Sequence, residues 1–396
     1  MTDQEFLERY LTDRRGTDCL KWDALEELYG EKDLLPMWIA DTEFRTCDAV
    51  LVALRRHIDH GVFGYGKVPE GYFEAFSGWM ERHYGLKIPR EWVHFCTGCV
   101  TGITWLVRTF TQPGDACLVL TPVYYPFHSV VRECGRTLVT CDLSYENGRF
   151  SLDLEAVERA IVQNNVKLLI QCSPHNPVGR VWSEEELDAV LSLCRRHGVF
   201  VISDEIHQDI ILWDKKFTPA LAVRDGAYRD MLAVVTAPSK TFNLPGLLHS
   251  HILLADEALR ERYAQTVKGL NHTSSNVLGM AAAQAAYTDG DAWHEGLISV
   301  IEENYTRLAE RLKAAAPELT LCALEGTFLP LLDLRALVAP EDTKAFMVQK
   351  CRVAVDYGEQ FGEHFRGFIR LNIATDPRLV DETAERILRA LGRAEG

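Results

Sequence analysis

The stretch MLAVVTAPSKTFNLPG, residues 231–246, joins a short apolar run to a polar loop. The run MLAVV is typical of a strand that is buried on both faces of a sheet. Lys240 follows this strand closely, between Ser239 and Asn243, and a Pro-Gly pair closes the turn. Taken alone, a lysine in such a loop is more often a solvated surface residue. Its role depends on which side chains follow the other strands.

Four further apolar runs also predict buried strands. They are residues 117–121, 167–172, 199–203 and 251–255. Helical patterns lie between them, and the clearest begins at Ser183, where Ser183 and Glu186 form a capping box and Gly198 follows the last turn. This alternation of strands and helices predicts an α/β fold with a mainly parallel sheet sandwiched by helices.

The two ends of the chain differ from this α/β centre. A long helical pattern at 294–316 precedes several short strands, and a last helix is predicted at 381–391. We therefore predict a large domain at residues 47–287 and a smaller α+β domain formed by residues 1–46 together with 288–396.

Composition narrows the possible classes of function. The net charge of -15 disfavours binding to nucleic acid, because an acidic chain repels phosphate backbones. No apolar run is long enough to span a membrane, and the charged N-terminus lacks the apolar segment of a signal peptide. The eleven cysteines show no framework spacing, so most should be reduced and buried. We expect a cytoplasmic protein.

Two patterns raise the question of a metal site. Cys96 and Cys99 form a C-x-x-C motif, but a second pair at ligand spacing is missing from the sequence. His249 and His251 alternate along a predicted strand, and we expect them to face opposite ways. We predict no metal site.

Functional side chains are expected where the parallel strands end, because ligands gather at the carboxyl ends of such strands. Tyr124, Asn176, Asp204 and Lys240 each follow a different predicted strand. This set meets the needs of pyridoxal phosphate, which requires a lysine for its Schiff base and a carboxylate facing the ring nitrogen. The amide suits the phenolate oxygen, and the aromatic ring offers a surface for stacking.

The phosphate of such a cofactor also needs a binding site. The stretch GCVTG, residues 98–102, opens a helical segment, where backbone N–H groups and the helix dipole favour an anion. Cys99 and Val100 lie in this cradle, and Ser239 offers a hydroxyl group.

Nine segments together resemble fold-type I pyridoxal-phosphate enzymes of the class I/II aminotransferase superfamily, and within it the MalY/PatB-type cystathionine β-lyases. They are RRGTDCLKWD, LPMWIAD, GVFGYG, TPVYYPF, SPHNPVGRVW, SDEIHQDI, PSKTFNLPGL, EGTFLPLLDLR and FIRLNIA. Their joint order and spacing carry the resemblance, which covers nearly the whole chain.

The resemblance implies a role for each residue around the cofactor. Lys240 is expected to form the Schiff base and to move the Cα proton, and Asp204 to pair with the ring nitrogen. Asn176 would bond the phenolate oxygen, with His207 nearby, and Tyr124 would stack on the ring.

The resemblance also implies two residues that bind the substrate. Arg370, in FIRLNIA, would hold the substrate carboxylate through a two-pronged guanidinium contact. Tyr65, in FGYG, would act in the neighbouring subunit's active site, which implies a homodimer with shared sites.

Each of these residues also has a purely structural explanation. Asn176 before a proline is typical of a turn, and Asp204 after a strand can cap a helix. Tyr124 and Tyr65 can be ordinary aromatics, and Arg370 can be a surface residue on an edge strand. Together these explanations would require five coincidences at family spacing.

Three functions remain open at this point. The first is a C–S β-lyase that converts L-cystathionine or another S-substituted cysteine to a thiol, pyruvate and ammonia. The second is an aminotransferase on the same scaffold, and the third is a cofactor-bearing protein that binds a regulatory partner. Departures from the family pattern leave the substrate open, at Gly66, Thr101, Leu248, Leu331 and Asp356.

Overall fold

The computed structural model describes residues 1–270 and 275–393. Its strands are β1 (Leu35–Pro36), β2 (Val93–Cys96), β3 (Ala116–Thr121), β4 (Thr137–Asp142), β5 (Ser144–Glu146), β6 (Arg149–Ser151), β7 (Val166–Cys172), β8 (Phe200–Asp204), β9 (Leu232–Thr236), β10 (Ser250–Leu253), β11 (Thr320–Leu321), β12 (Leu331–Asp333), β13 (Val353–Ala354), β14 (Asp356–Tyr357) and β15 (Phe368–Arg370).

Helices connect and cover these strands. They are α1 (Asp3–Tyr10), α2 (Leu20–Asp23), α3 (Leu25–Tyr29), α4 (Asp48–His60), α5 (Tyr72–Tyr84), α6 (Cys99–Phe110), α7 (Pro126–Glu133), α8 (Leu154–Asn164), α9 (Glu184–Arg196), α10 (Pro238–Thr241), α11 (Glu257–Gly269), α12 (Val277–Asp289), α13 (Asp291–Ala315), α14 (Thr343–Ala345), α15 (Gly358–Phe361) and α16 (Pro377–Ala390).

The large sheet has the strand order β2-β10-β9-β8-β7-β3-β4. β10 runs antiparallel to both of its neighbours, β2 and β9, whereas the pairs from β9 through β4 are parallel. Apolar side chains alternate between the two faces: Leu168 and Ile170 of β7 join a core with Leu106 of α6, while Leu169 joins a core with Val190 of α9. The predicted α/β fold with a mainly parallel sheet between helices is confirmed.

The predicted elements lie close to the observed ones. Ser183 caps α9, since its hydroxyl accepts from the Glu186 N–H at 3.2 Å while Glu186 accepts from the Ser183 N–H at 2.9 Å. The last helix begins earlier than its predicted start at residue 381, because Asp376 caps it and Pro377 occupies its first position. The helix predicted from residue 294 likewise begins at Asp291.

A second sheet, of order β11-β12-β15-β14, is formed by the C-terminal part of the chain. The N-terminal strand β1 runs parallel to β13, with Leu35 opposite Val353. The N-terminal segment therefore lies beside the C-terminal strands. The domain division at residues 47–287 remains a prediction.

The cysteines agree with the prediction of reduced, buried thiols. All eleven are unpaired, and all except the half-buried Cys141 are buried. Within residues 1–270 and 275–393, no helix combines the length and apolar character needed to cross a membrane.

Candidate active site

The four strands that end at the predicted site residues are neighbours in the large sheet, in the order β9-β8-β7-β3. Their carboxyl ends form one side of a cavity of about 350 Å³. Eight of the predicted site residues line this cavity: Cys99, Val100, Tyr124, Asn176, Asp204, His207, Ser239 and Lys240. The parallel topology thus brings together side chains that are far apart in the sequence.

Lys240 lies on the short helix α10, directly after β9, and is not a solvated surface residue. Its Nζ donates a hydrogen bond to the backbone carbonyl of Ala40 at 2.5 Å. Burial lowers the pKa of Lys240 from 10.5 to about 8, while the charge of Asp41 acts in the opposite direction. An amine with this pKa is partly neutral near physiological pH and can accept a proton.

Asp204 is the last residue of β8 and is only 3% exposed. Its Oδ1 accepts a hydrogen bond from the Ile206 N–H at 3.2 Å. Burial raises the pKa of Asp204 from 3.8 to about 7. The charged form of this carboxylate lacks enough compensation from the protein alone, so a cationic N–H group in the cavity would stabilise it.

Arg370 lies on β15 and is 3% exposed, which contradicts the alternative of a surface residue. Its Nη1 donates to Asn176 Oδ1 at 2.9 Å, and its Nη2 pairs with Asp356, the residue directly opposite on β14. Its Nε is buried and has no acceptor among the described residues. Arg370 therefore reaches the cavity wall through Asn176, and Asp356 holds it from the other side.

Tyr124 and His207 supply the flat surfaces of the cavity. The Tyr124 N–H donates to the Asn176 carbonyl at 3.1 Å, which fixes the position of the tyrosine beside β7. His207 packs edge-on against Phe328, with ring centroids 5.9 Å apart. Burial lowers the pKa of His207 well below its ordinary value, so its imidazole is neutral at physiological pH.

The N-terminus of α6 faces the same cavity, with residues 97–101 in its wall. Gly98 occupies the N-cap position, so no side chain caps the free N–H groups of the first turn. Burial raises the pKa of Cys99 well above its ordinary value, which keeps this thiol neutral. The first turn of α6 is therefore suited to a phosphate group.

Tyr65 does not join this cavity within one chain. It lies in the segment between α4 and α5 and is fully exposed. Its neighbours Val62 and Phe63 are exposed as well. A role for Tyr65 in catalysis would require a second subunit.

The prediction that His249 and His251 face opposite ways is wrong. Residues two apart on a strand share a face, and both rings contact Tyr72, whose Oη lies 2.5 Å from His249 Nε2 and 2.6 Å from His251 Nε2. His249 also lines the cavity. Among the described residues, no group of three His, Cys, Asp or Glu side chains is arranged to hold a metal ion.

Sequence reasoning also missed Ala40 and Asp356. The Ala40 contact with Lys240 joins segments 200 residues apart, and it uses a carbonyl that carries no side-chain signal. Asp356 had a weak signal, because it departs from the family pattern close before Arg370.

Comparison with known proteins gives a consistent picture. The family model described as aminotransferase class I and II matches residues 37–387. The cystathionine β-lyase PatB of Bacillus subtilis (strain 168) is 36% identical over 380 residues, which cover 96% of this chain and 98% of that protein.

Solved structures agree in fold over nearly the whole chain. Cystalysin from Treponema denticola, which contains pyridoxal 5′-phosphate, has a TM-score of 0.92 at 31% identity and covers 96% of this chain and 98% of its own. The PLP-bound C–S lyase from Staphylococcus hominis has a TM-score of 0.89 at 31% identity, covering 96% and 97%. These matches confirm the expected fold-type I architecture.

Proposed function

The chain belongs to the class I and II aminotransferase family, and from this premise we propose that it is a pyridoxal-phosphate-dependent C–S β-lyase. Its substrate would be L-cystathionine or another S-substituted cysteine, and its products a thiol, pyruvate and ammonia. The observation that carries the proposal is the meeting of Lys240, Asp204, Asn176 and Tyr124 in one cavity.

The residues of the cavity fit this cofactor. Asp204 forms no ion pair with any of the described residues, and the more distant charge of Lys240 only partly offsets its burial, so a protonated ring nitrogen would supply the missing partner. The uncapped first turn of α6, with Ser239, offers donors to a phosphate. Asn176 and Tyr124 would hold the ring oxygen and the ring face, and Lys240 would attach the cofactor.

When bound, pyridoxal phosphate supplies a ring that accepts electrons from the substrate Cα. The Lys240 amine would take the Cα proton, since its pKa of about 8 leaves a usable neutral fraction near neutral pH. Arg370 would orient the substrate through its carboxylate, with the guanidinium held in place by Asn176 and Asp356. Release of the thiolate from the β-carbon would then distinguish a lyase from an aminotransferase.

We also propose that the enzyme acts as a cytoplasmic homodimer. Tyr65 and its exposed apolar neighbours Val62 and Phe63 form a surface that a second copy of the chain would cover. Tyr65 would then reach the partner's active site. Sedimentation that shows a fully active monomer would contradict both the dimer and this role for Tyr65.

The proposal is tested by adding L-cystathionine to the purified, cofactor-loaded protein and measuring pyruvate while the absorbance spectrum is recorded. Steady pyruvate release with an unchanged cofactor band is the expected result. Absence of pyruvate, with a shift of the band toward the pyridoxamine form on adding amino acids, would indicate an aminotransferase, the activity for which the family is named.

A regulatory binding protein would behave differently from both enzymes. If the protein acts mainly by binding a regulatory partner, Lys240→Ala would abolish turnover but leave the phenotype of cells that carry the variant unchanged. A phenotype that disappears with Lys240→Ala would rule out this third possibility.

A further inference from the structure

The segment at residues 39–43 lies against Lys240. The Ala40 carbonyl accepts the hydrogen bond from Lys240 Nζ at 2.5 Å. Ile39 has a φ of 37°, which is unfavourable for a β-branched residue. The Asn372 side chain donates to the carbonyl of Ile39 at 2.7 Å and to that of Asp41 at 2.6 Å. The surrounding fold thus holds this segment in a strained conformation beside Lys240.

Two cations meet the carboxylates of this segment. Both oxygens of Asp41 accept from the Arg14 guanidinium, at 2.8 and 2.7 Å. The Lys21 ammonium lies 4.0 Å from Asp41 Oδ1 and 2.8 Å from Glu43 Oε1. Lys21 is completely buried, so little solvent screens its charge, whereas the Arg14 and Asp41 side chains are 22% and 15% exposed. The charge of Asp41 is therefore shared between Arg14 and Lys21 and its effect on Lys240 is reduced but not cancelled.

We propose that Asp41 is a positioning residue for Lys240: held by Arg14 and Asn372, it fixes the adjoining Ala40 carbonyl that accepts from the free amine. The proposal rests on the proposed function only in taking Lys240 as the reacting lysine. Arg14, by its two-pronged contact with Asp41, limits how strongly Asp41 acts.

The sign of the effect follows from the charges that face Lys240. Burial and the positive charge of Arg370 lower its pKa, while Asp41, Cys99 and Asp204 raise it. Removing the charge of Asp41 should therefore lower the pKa of Lys240, and removing Arg14 should raise it. If the substitutions simply loosened the segment, water would enter, and the pKa of Lys240 would rise in both variants toward its ordinary value of 10.5.

The test measures Lys240 directly in the full-length, cofactor-free protein. Competitive acetylation is run from about pH 6 to 11, and the labelled Lys240 peptide is quantified by mass spectrometry to give its midpoint. We expect Asp41→Asn to lower the midpoint by roughly one unit and Arg14→Gln to raise it. Asp13→Asn and Arg15→Gln are matched controls, since these neighbours are 66% and 62% exposed and should leave it unchanged.

Shifts of opposite sign would support the proposal, and shifts of the same sign, or none, would overturn it. If Arg14→Gln does not fold, Arg14→Lys keeps the charge but loses the two-pronged contact and should raise the midpoint by a smaller amount. Opposite shifts without pyruvate release would refute the lyase and leave the role of Asp41 intact.

Discussion

Replacement of Asp204 by Asn should stabilise the cofactor-free protein at high pH. The folded protein raises the pKa of Asp204 from 3.8 to about 7 because the carboxylate is buried. A carboxyl group whose pKa is raised in the folded state stabilises the fold in its protonated form. This stabilisation is fully present below about pH 4 and is lost as the pH rises to about 7. At about 1.4 kcal/mol per pKa unit, the loss amounts to about 4 kcal/mol. This figure is an upper bound, because Asp204 lines the cavity and is not enclosed by protein atoms on every side.

The assay is urea unfolding of the cofactor-free wild type and Asp204→Asn over about pH 4 to 8. Asn keeps the oxygen that accepts from the Ile206 N–H, so the change removes the charge and little else. The free energy of unfolding should be similar near pH 4, with the variant more stable by up to about 4 kcal/mol near pH 8. The exposed Asp13→Asn serves as control. A variant that is less stable by the same amount at every pH would refute the reasoning.

Three further changes test other parts of the site. Lys240→Ala should lower pyruvate release by at least about a hundredfold with an unchanged circular dichroism spectrum, and retained turnover would exclude Lys240 as the base. Arg370→Ala leaves Asp356 as a buried, unpaired carboxylate, so the free energy of unfolding should fall by about 3 kcal/mol. The KM should also rise, and an unchanged KM would assign the binding of the substrate carboxylate to another residue. Gly279→Ala would place a Cβ 2.7 Å from His249 Cβ and 2.8 Å from the Leu247 carbonyl oxygen, so calorimetry should show about 1–3 kcal/mol of lost stability. Unchanged stability would contradict this crowding.

The mutual position of the cofactor residues could be predicted from the sequence. Short apolar runs such as residues 167–172 are too brief for helices and too apolar for a surface, so they indicate buried parallel strands. The polar residue after each run then lies at the carboxyl edge of the sheet. On this basis the sequence predicts that Asn176, Asp204 and Lys240 lie together, and the structure gathers them around one cavity.

The charges that control these residues could not be predicted in the same way. Asp356 meets Arg370 because β14 and β15 pair with these two residues opposite each other, and strand register is a property of the assembled sheet. The shared face of His249 and His251, by contrast, follows from the two-residue period of a strand and needs no tertiary information.

The sheet, the family resemblance and the residue types that the cofactor requires can thus be predicted from the sequence, because they depend on local hydrophobic patterns and on the ends of strands. The basicity of Lys240 and the contacts that hold Arg370 are properties of the assembled fold. Both properties depend on burial and on contacts between distant segments, such as the hydrogen bond from Lys240 to the Ala40 carbonyl. Burial and electrostatic interactions act through space, and only the folded chain defines the distances on which they depend.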